Sequence, residues 1–461
     1  MSSPSLAVCL IVRDEAALLP GLLASIAPLG AEVIAVDTGS TDGTVGLLVD
    51  AGARVIPGTW TGDFAAARNV GLNVCDSDWV VVLDADERLA PGAPAAILAA
   101  ISGGAFDRGL LPLHNASHVD ATAAAVLQGA QRRGEPTLLA RLFRRGPGLR
   151  YTGALHEQVE AGWLGRPAVD AQVAADIIHL GYAADLGRAD EKATRNLEIL
   201  RRMCGSGGPD PVPWAYRARD AARAGLWDEA RLASEAAWTR LSGCTMTPVP
   251  AAAFTLAALR ADLQLQAGDV KAACETAETA AAWGPGHPSV WFLAGVAHQH
   301  LSLRATGPGA QRRHRRAARS WLERCEAHDG ALFTDEVSAG ATSWAAACRL
   351  GEVLMLDGDA PAAVQAFARA AARLPQPPVG LAAQVDMDVR LGLAEAALQT
   401  EGWQSALKRV EPLLALPCSD GWALAALACR KGGMMGEWTA FSDRARAVGA
   451  WRASWRRARI E

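Results

Sequence analysis

The run Val80-Val81-Val82-Leu83-Asp84-Ala85-Asp86-Glu87 sets two carboxylates one residue apart at the end of an apolar stretch. A strand ending this way delivers both to the carboxyl edge of a parallel sheet, the edge at which open α/β folds hold ligands. Carboxylate oxygens suit a hard divalent ion such as Mn2+ or Mg2+, and that ion bridges a diphosphate and neutralises charge building on it. Alone, an Asp-x-Asp is a weak signal, because many strand ends carry acidic caps. Here it follows Val36-Asp37-Thr38-Gly39-Ser40-Thr41-Asp42-Gly43-Thr44. In that run Gly39 and Gly43 permit a tight turn, Ser40 to Thr44 can cap the next helix, and Asp37 at a strand tip can accept hydrogen bonds from a nucleoside. Asp63-Phe64-Ala65-Ala66-Ala67-Arg68-Asn69 then opens a helix whose first turns carry Arg68, a guanidinium placed to meet a phosphate.

A sheet is needed to hold these side chains together. Short β-branched runs at 6–12, 32–36, 54–56 and 79–83 alternate with helical stretches, which predicts a parallel sheet covered by helices on both faces. After Gly205-Ser206-Gly207-Gly208-Pro209-Asp210-Pro211 the texture turns Ala-rich and helical. Residues 1–205 therefore read as an α/β unit and 206–461 as a helical one. Leu350-Gly351, Leu354, Gly358, Ala363, Phe367, Ala370 and Pro375 follow the tetratricopeptide pattern of small and large residues. Gly225, Ala230, Ser234 and Ala237 echo it, as do Gly268, Ala273, Ala277 and Ala280, the start at Trp291, Gly295 and His298, and Leu391-Gly392. One basic run, Arg304 to Arg319, interrupts the array; it reads as a solvated face or as a docking patch for an acidic or phosphate-bearing segment.

Composition excludes several classes. A chain of 461 residues has room for two or three compact units, and with 50 % hydrophobic and 20 % charged residues it is globular in usage. A formal charge of -4 supplies no general attraction to nucleic acid or anionic lipid. Nine cysteines without any C-x-x-C indicate neither a disulfide framework nor a zinc knuckle, and point to a reduced, cytoplasmic setting. The start of the chain lacks the pattern of a signal peptide, and no apolar run approaches the ~20 residues of a transmembrane helix.

Four motifs in order, Cys9-Leu10-Ile11-Val12-Arg13-Asp14-Glu15, Val36 to Thr44, Ala67-Arg68-Asn69 and Leu83-Asp84-Ala85-Asp86-Glu87, resemble the family 2 inverting glycosyltransferases of GT-A fold. The resemblance covers about the first 200 residues. It implies a nucleotide-sugar donor, usually UDP-linked, bound by Val12, Asp14, Glu15, Asp37, Arg68, Asp84 and Ala85. It also implies a divalent metal on Asp84 and Asp86. Arg141-Leu142-Phe143-Arg144, Gly153-Ala154-Leu155-His156-Glu157-Gln158-Val159, Ile178-His179-Leu180-Gly181-Tyr182 and Lys192-Ala193-Thr194-Arg195-Asn196-Leu197 are similar to the branch with a C-terminal tetratricopeptide array. That branch includes the sublancin-type peptide S-glycosyltransferases. The chain departs from it by beginning at its first strand, with little room for an N-terminal helical extension.

An inverting transfer needs a base on the acceptor side, and a carboxylate is the usual one. Glu157 is the expected base and His156 the expected third metal ligand, since neutral imidazole binds such ions. His179 and Tyr182 are expected beside the acceptor or behind the ligands. The reading is a metal-dependent inverting transferase that moves a sugar from a UDP-sugar to a Cys or Ser/Thr side chain of a peptide held on the helical array. A homodimer is the expected assembly. Two rivals stay open: transfer to a lipid-linked envelope or exopolysaccharide acceptor, for which no amphipathic membrane-facing stretch is seen, and a repeat scaffold with a degenerate transferase unit. A nucleotidyltransferase fits less well, because a Gly-rich, Lys-bearing phosphate loop is missing where Arg13-Asp14-Glu15 stands.

Overall fold

The computed structural model of the chain describes residues 4–159, 162–183, 186–187, 189–242, 251–283, 286–334, 338–375, 378 and 380–457. The described residues form two compact units, one within 4–242, 251–256 and 332–334, the other within 257–331 and 338–457.

The first unit is α/β. Its elements are β1 (Leu6–Val12), α1 (Leu19–Ile26), β2 (Glu32–Asp37), α2 (Thr44–Asp50), β3 (Arg54–Pro57), α3 (Phe64–Asn73), β4 (Trp79–Asp84), β5 (Glu87–Leu89), α4 (Ala93–Gly103), β6 (Arg108–Asn115), α5 (Ala123–Leu127) and β7 (Thr137–Arg144). They continue with β8 (Tyr151–Thr152), β9 (Gln158–Val159), β10 (Asp170–Gln172), β11 (Ile177–His179), α6 (Ala189–Gly205), α7 (Val212–Arg223) and α8 (Trp227–Ser242). The main sheet runs β3-β2-β1-β4-β7-β6-β11-β5, with β10 also paired to β6.

Both faces of the central strands are covered, which is why they are apolar throughout. Leu6, Val8, Leu10 and Val12 of β1 enter one core and Ala7 and Cys9 the other. The register sets Val12 beside Asp37 and Ile11 beside Asp84, so the tips of β2 and β4 present their carboxylates at one edge. The sheet departs from the all-parallel expectation beyond β4. There β7 pairs antiparallel with both β4 and β6, and β5 pairs antiparallel with β11. β7 follows β6 after the short α5 and pairs with it antiparallel, a pairing that needs no crossover helix.

This unit extends past the composition break at 205–211. Tyr216 and Ala215 of α7 share one core cluster with Leu155, Leu200, Ala252 and Leu256, so burial carries the helices after the break into the same body.

The second unit is a succession of helix pairs: α9 (Ala251–Gln266), whose later turns belong to it, α10 (Val270–Ala281), α11 (Pro288–Arg304), α12 (Pro308–Glu326), α13 (Trp344–Asp357), α14 (Ala360–Arg373), α15 (Leu381–Thr400), α16 (Trp403–Val410), α17 (Ser419–Lys431), α18 (Met435–Val448) and the short α19 (Ser454–Arg457). Asp269 and Asp359 cap the second helices of two pairs, each accepting the amide N–H three residues on. The preceding turns place Gly268 at φ 81 and Gly358 at φ 82, left-handed conformations that glycine adopts without a Cβ clash. Phe367 is fully buried against Gly351 and Gly392, where an added Cβ on either residue would strike its ring. The basic run forms most of α12, with Arg315 paired to Asp357 and Arg319 to Glu323, while Arg312, Arg313 and Arg316 are exposed. No helix among the described residues is long and apolar enough to cross a membrane.

Phe367→Ala empties the groove between two helix pairs and should cost about 3–5 kcal/mol. The urea midpoint of the helical unit measures it, and a loss below ~1 kcal/mol would contradict the packing.

Candidate active site

A cleft of about 940 Å3 opens in the first unit at the tips of β1 and β4. Val12, Glu15, Arg68, Asp84, Ala85, Asp86, His156, Glu157, His179 and Tyr182 line it, as do Arg141, Lys192 and Arg195.

Asp14 and Asp37 are not among the lining residues; they tie down the loops that are. The Asp14 carboxylate accepts from Thr41 N at 2.7 Å and Thr41 Oγ1 at 3.1 Å, while Asp14 N donates to Ser40 Oγ at 3.0 Å. Asp37 accepts from Ser40 N at 3.1 Å, and Asp42 accepts from Ala16 N at 3.1 Å. The Thr41 amide holds the Asp14 carboxyl below the usual carboxylate range. Asp14 has φ 52, and among the described residues the other non-glycine with positive φ is His156, at 54.

At the end of β4, charge is stored and neutralised. Asp63 caps α3 by accepting from Ala66 N at 2.8 Å, which starts the helix that carries Arg68 inward. Arg68 Nη2 donates to Asp84 Oδ1 at 2.7 Å and its Nε to Glu157 Oε1 at 2.5 Å. Arg141 of β7 donates to Asp84 Oδ2 at 3.0 Å and to Glu87, whose Oε2 in turn accepts from Asp84 N at 3.0 Å. Burial alone would raise the Asp84 carboxyl, but Arg68 and Arg141 outweigh it and hold it well below its ordinary value. Burial, helped by the neighbouring Asp84 charge, raises Glu87 against the pull of Arg141.

Asp86 has different company. Lys192 Nζ of α6 donates to Asp86 Oδ2 at 2.7 Å, and His179 Nε2 lies 3.6 Å from the same oxygen. The antiparallel pairing of β11 with β5 sets His179 opposite Glu87, and its Nδ1 is 2.7 Å from Asn115 Oδ1. His179 and Lys192 pull the Asp86 carboxyl well below its ordinary range despite its burial, and the Asp86 carboxylate, facing the His179 ring N–H, raises His179 despite the same burial. Gly181 completes this corner: a Cβ there would land on Asp86 Oδ2, with His179 Nε2 at 2.5 Å and Lys192 Nζ at 2.7 Å. The absence of a side chain at 181 keeps a small cradle open between a carboxylate oxygen and an imidazole nitrogen.

The residues expected as metal ligands have separate protein partners. Both oxygens of Asp84 accept from arginines. His156, expected as the third ligand, turns to α7, where its Nε2 lies 3.3 Å from Asp220 Oδ2 and 2.8 Å from Arg219 Nη2 and its ring centroid 4.2 Å from that of Tyr216. Burial lowers His156. The imidazole brought to Asp86 is that of His179. Arg141, Glu87 and Lys192 have no role in the sequence analysis, although all three sit in motifs that carry the family resemblance. Their signal was there without a partner to interpret it.

Residues 7–107 match the family model "Glycosyl transferase family 2". A TPR repeat-containing protein of Synechococcus elongatus is 30% identical over 281 residues, 59% of this chain and 65% of that protein. An uncharacterized glycosyltransferase of Rickettsia felis is 36% identical over 80 residues, 17% of this chain and 28% of its own length. The chain therefore spans less than two thirds of either relative. Among solved structures, a tetratricopeptide repeat protein from Parabacteroides merdae shares 13% identity over 60% of this chain and 94% of its own, with a TM-score of 0.38. Glucosyl-3-phosphoglycerate synthase from Mycobacterium tuberculosis, in complex with Mn2+, uridine diphosphate and phosphoglyceric acid, shares 24% over 24% of this chain and 43% of its own, with a TM-score of 0.22.

Arg141→Met leaves Glu87, 1 % exposed, without the guanidinium it faces, and should destabilise the α/β unit by about 3–5 kcal/mol. Adding Glu87→Gln should return part of that loss in chemical denaturation; equal stability of wild type and Arg141→Met would show that the pair is not coupled to folding.

Proposed function

We propose that the α/β unit is an inverting glycosyltransferase that takes a sugar from a nucleotide sugar, UDP-linked, and delivers it to a Cys or Ser/Thr side chain of a peptide bound by the helical repeats. The observation that carries the reading is the cleft itself. Within the span that matches family 2, the tips of β1 and β4 open onto an Asp-x-Asp pair whose neighbours are the cations Arg68, Arg141 and Lys192 and the carboxylate Glu157. Cations suit a diphosphate, and a carboxylate suits the acceptor. Helical repeats are a common protein-binding architecture, which supports a peptide acceptor over a lipid-linked one.

The Asp86–His179 corner fits a divalent ion. One carboxylate oxygen and one imidazole nitrogen face the Gly181 cradle, where the Lys192 ammonium stands 2.7 Å from the same oxygen; a divalent ion would take the place of that ammonium, with one or two protein ligands and its remaining positions filled by phosphate oxygens and water. When bound, such an ion supplies charge neutralisation for the departing diphosphate. Asp84, held by two guanidiniums, fixes Arg68 and Arg141 in place. Lys192 and Arg68 stabilise the leaving nucleotide as the sugar–phosphate bond breaks and its electron pair passes to the diphosphate. Glu157 keeps Arg68 on one oxygen, and its Oε2, without a partner among the described residues, accepts the acceptor proton as the new sugar–oxygen or sugar–sulfur bond forms on the opposite face.

UDP release from a panel of UDP-sugars with Mn2+ tests the reading. Asp86→Asn should lower the rate by about 10²–10³-fold, and unchanged turnover would overturn the assignment of the donor site. Glu157→Gln should leave UDP binding by calorimetry intact while lowering transfer to a hydroxyl acceptor by about 10²–10⁴-fold. With a thiol acceptor, partly ionised near neutrality because its pKa is about 8.5, the loss should be small. Full activity of Glu157→Gln on a hydroxyl acceptor would remove Glu157 as the base.

A further inference from the structure

The helical unit contains a second cluster of ligating side chains that the transfer reaction does not use. Cys274 and Glu278 sit one turn apart on α10, His298 on α11 and His314 on α12, the last inside the basic run. The thiol, the Glu278 carboxylate and a His298 nitrogen offer ligand atoms that all lie within 4.8 Å of one another. Cys274 Sγ is 3.6 Å from His298 Nε2, and Glu278 Oε1 is 3.0 Å from the same nitrogen. The other edge of the His298 ring faces His314, Nδ1 to Nδ1 at 3.1 Å, with Cys274 Sγ 3.9 Å from His298 Nδ1.

We propose that Cys274, Glu278 and His298 form a zinc-class metal site in the helical repeats, with His314 as the hydrogen-bond partner that orients His298. Three features carry it. Zinc–sulfur and zinc–nitrogen bonds of about 2.3 and 2.0–2.1 Å at a tetrahedral angle place the two ligand atoms about 3.6 Å apart, the separation of Cys274 Sγ and His298 Nε2. The ligand set of one thiolate, one imidazole and one carboxylate suits a borderline-soft divalent ion and not the hard ions that prefer oxygen alone. Metal-bound histidines donate their other ring N–H to a fixed acceptor, and a His298 Nδ1–H directed at His314 Nδ1 leaves the Nε2 lone pair facing Cys274 and Glu278. Cys274 and His298 are buried while Glu278 is exposed, so an ion can enter from the Glu278 side and keep one water there as its fourth ligand. On binding, the thiol gives its proton to water as the sulfur–metal bond forms.

The site lies wholly within the second unit and spans three successive helices, α10, α11 and α12. It requires nothing of the donor cleft, so its failure and the failure of the transferase reading are separate outcomes. The test uses the full chain, free of affinity tag and stripped with chelator. Titration with Zn2+ in the presence of Asp86→Asn, which silences the cleft, should show one equivalent bound. Co2+ in its place should give a thiolate-to-cobalt charge-transfer band in the near ultraviolet. Cys274→Ser should lose the band, His298→Gln should lose the bound equivalent, and His314→Gln should bind about 10–100-fold more weakly. Stoichiometric Co2+ without the band in the wild-type protein would overturn the proposal even if a variant failed to fold. So would zinc uptake unchanged in Cys274→Ser and His298→Gln, or no uptake at all, which would leave Glu278, His298 and His314 as a plain hydrogen-bond chain.

Discussion

A sheet strand that ends in acid inside a protein must be given positive charge, and the α/β unit is arranged around that requirement. The carboxylates of Asp84 and Glu87 stand at the tip of the central strand β4 and at the start of β5, and withdrawing them from water is tolerable only with strong partners. Arg68 from α3 and Arg141 from β7 supply them, and Arg68 extends the network to Glu157 in the segment between β8 and β9. Three remote stretches of chain are therefore pinned at one point. The cleft inherits its shape from that network: its cations are already fixed by protein carboxylates, and an anionic ligand meets guanidiniums that need little reorganisation.

Local patterns made the strand ends readable. β1 to β4 fall where β-branched runs predict them, and Asp84, Asp86, Arg68 and Glu157 stand in short motifs whose residue types already suggest chemistry. What the sequence did not disclose depends on distant pairing. Arg141 reaches Asp84 across 57 positions because β7 inserts antiparallel between β4 and β6, a strand that an all-parallel reading has no place for. Lys192 reaches Asp86 across 106 positions, from a helix whose own pattern says nothing about the sheet. His156 and His179 are alike as letters in a sequence; the β11–β5 pairing brings one to Asp86, and the packing of α7 draws the other to Asp220. The composition break near 205 marks a change of texture, but Tyr216 buries itself with Leu155 and so the compact body continues beyond it.

The helical unit was legible for another reason. Its information is periodic: small residues recur where helices cross, and a glycine recurs at the turn within a pair, as at 268 and 358. Periodicity says little about single polar residues set into the array. Cys274, Glu278, His298 and His314 have no local spacing that resembles a metal motif, because three helices bring them together and not one loop. The absence of C-x-x-C speaks only to ligands paired within one loop and not to ligands gathered across a repeat.

The two left-handed residues have a consequence for timing. Asp14 and His156 hold a backbone conformation that costs side-chain-bearing residues of order 1 kcal/mol or more, and each is kept there by polar partners, Thr41 for one and Asp220 with Arg219 for the other. The bends beside Glu15 and Glu157 are thus made during folding, at the expense of global stability, and are already complete when a ligand arrives. A protein built this way does its conformational work at these two bends once, at birth, instead of once per encounter.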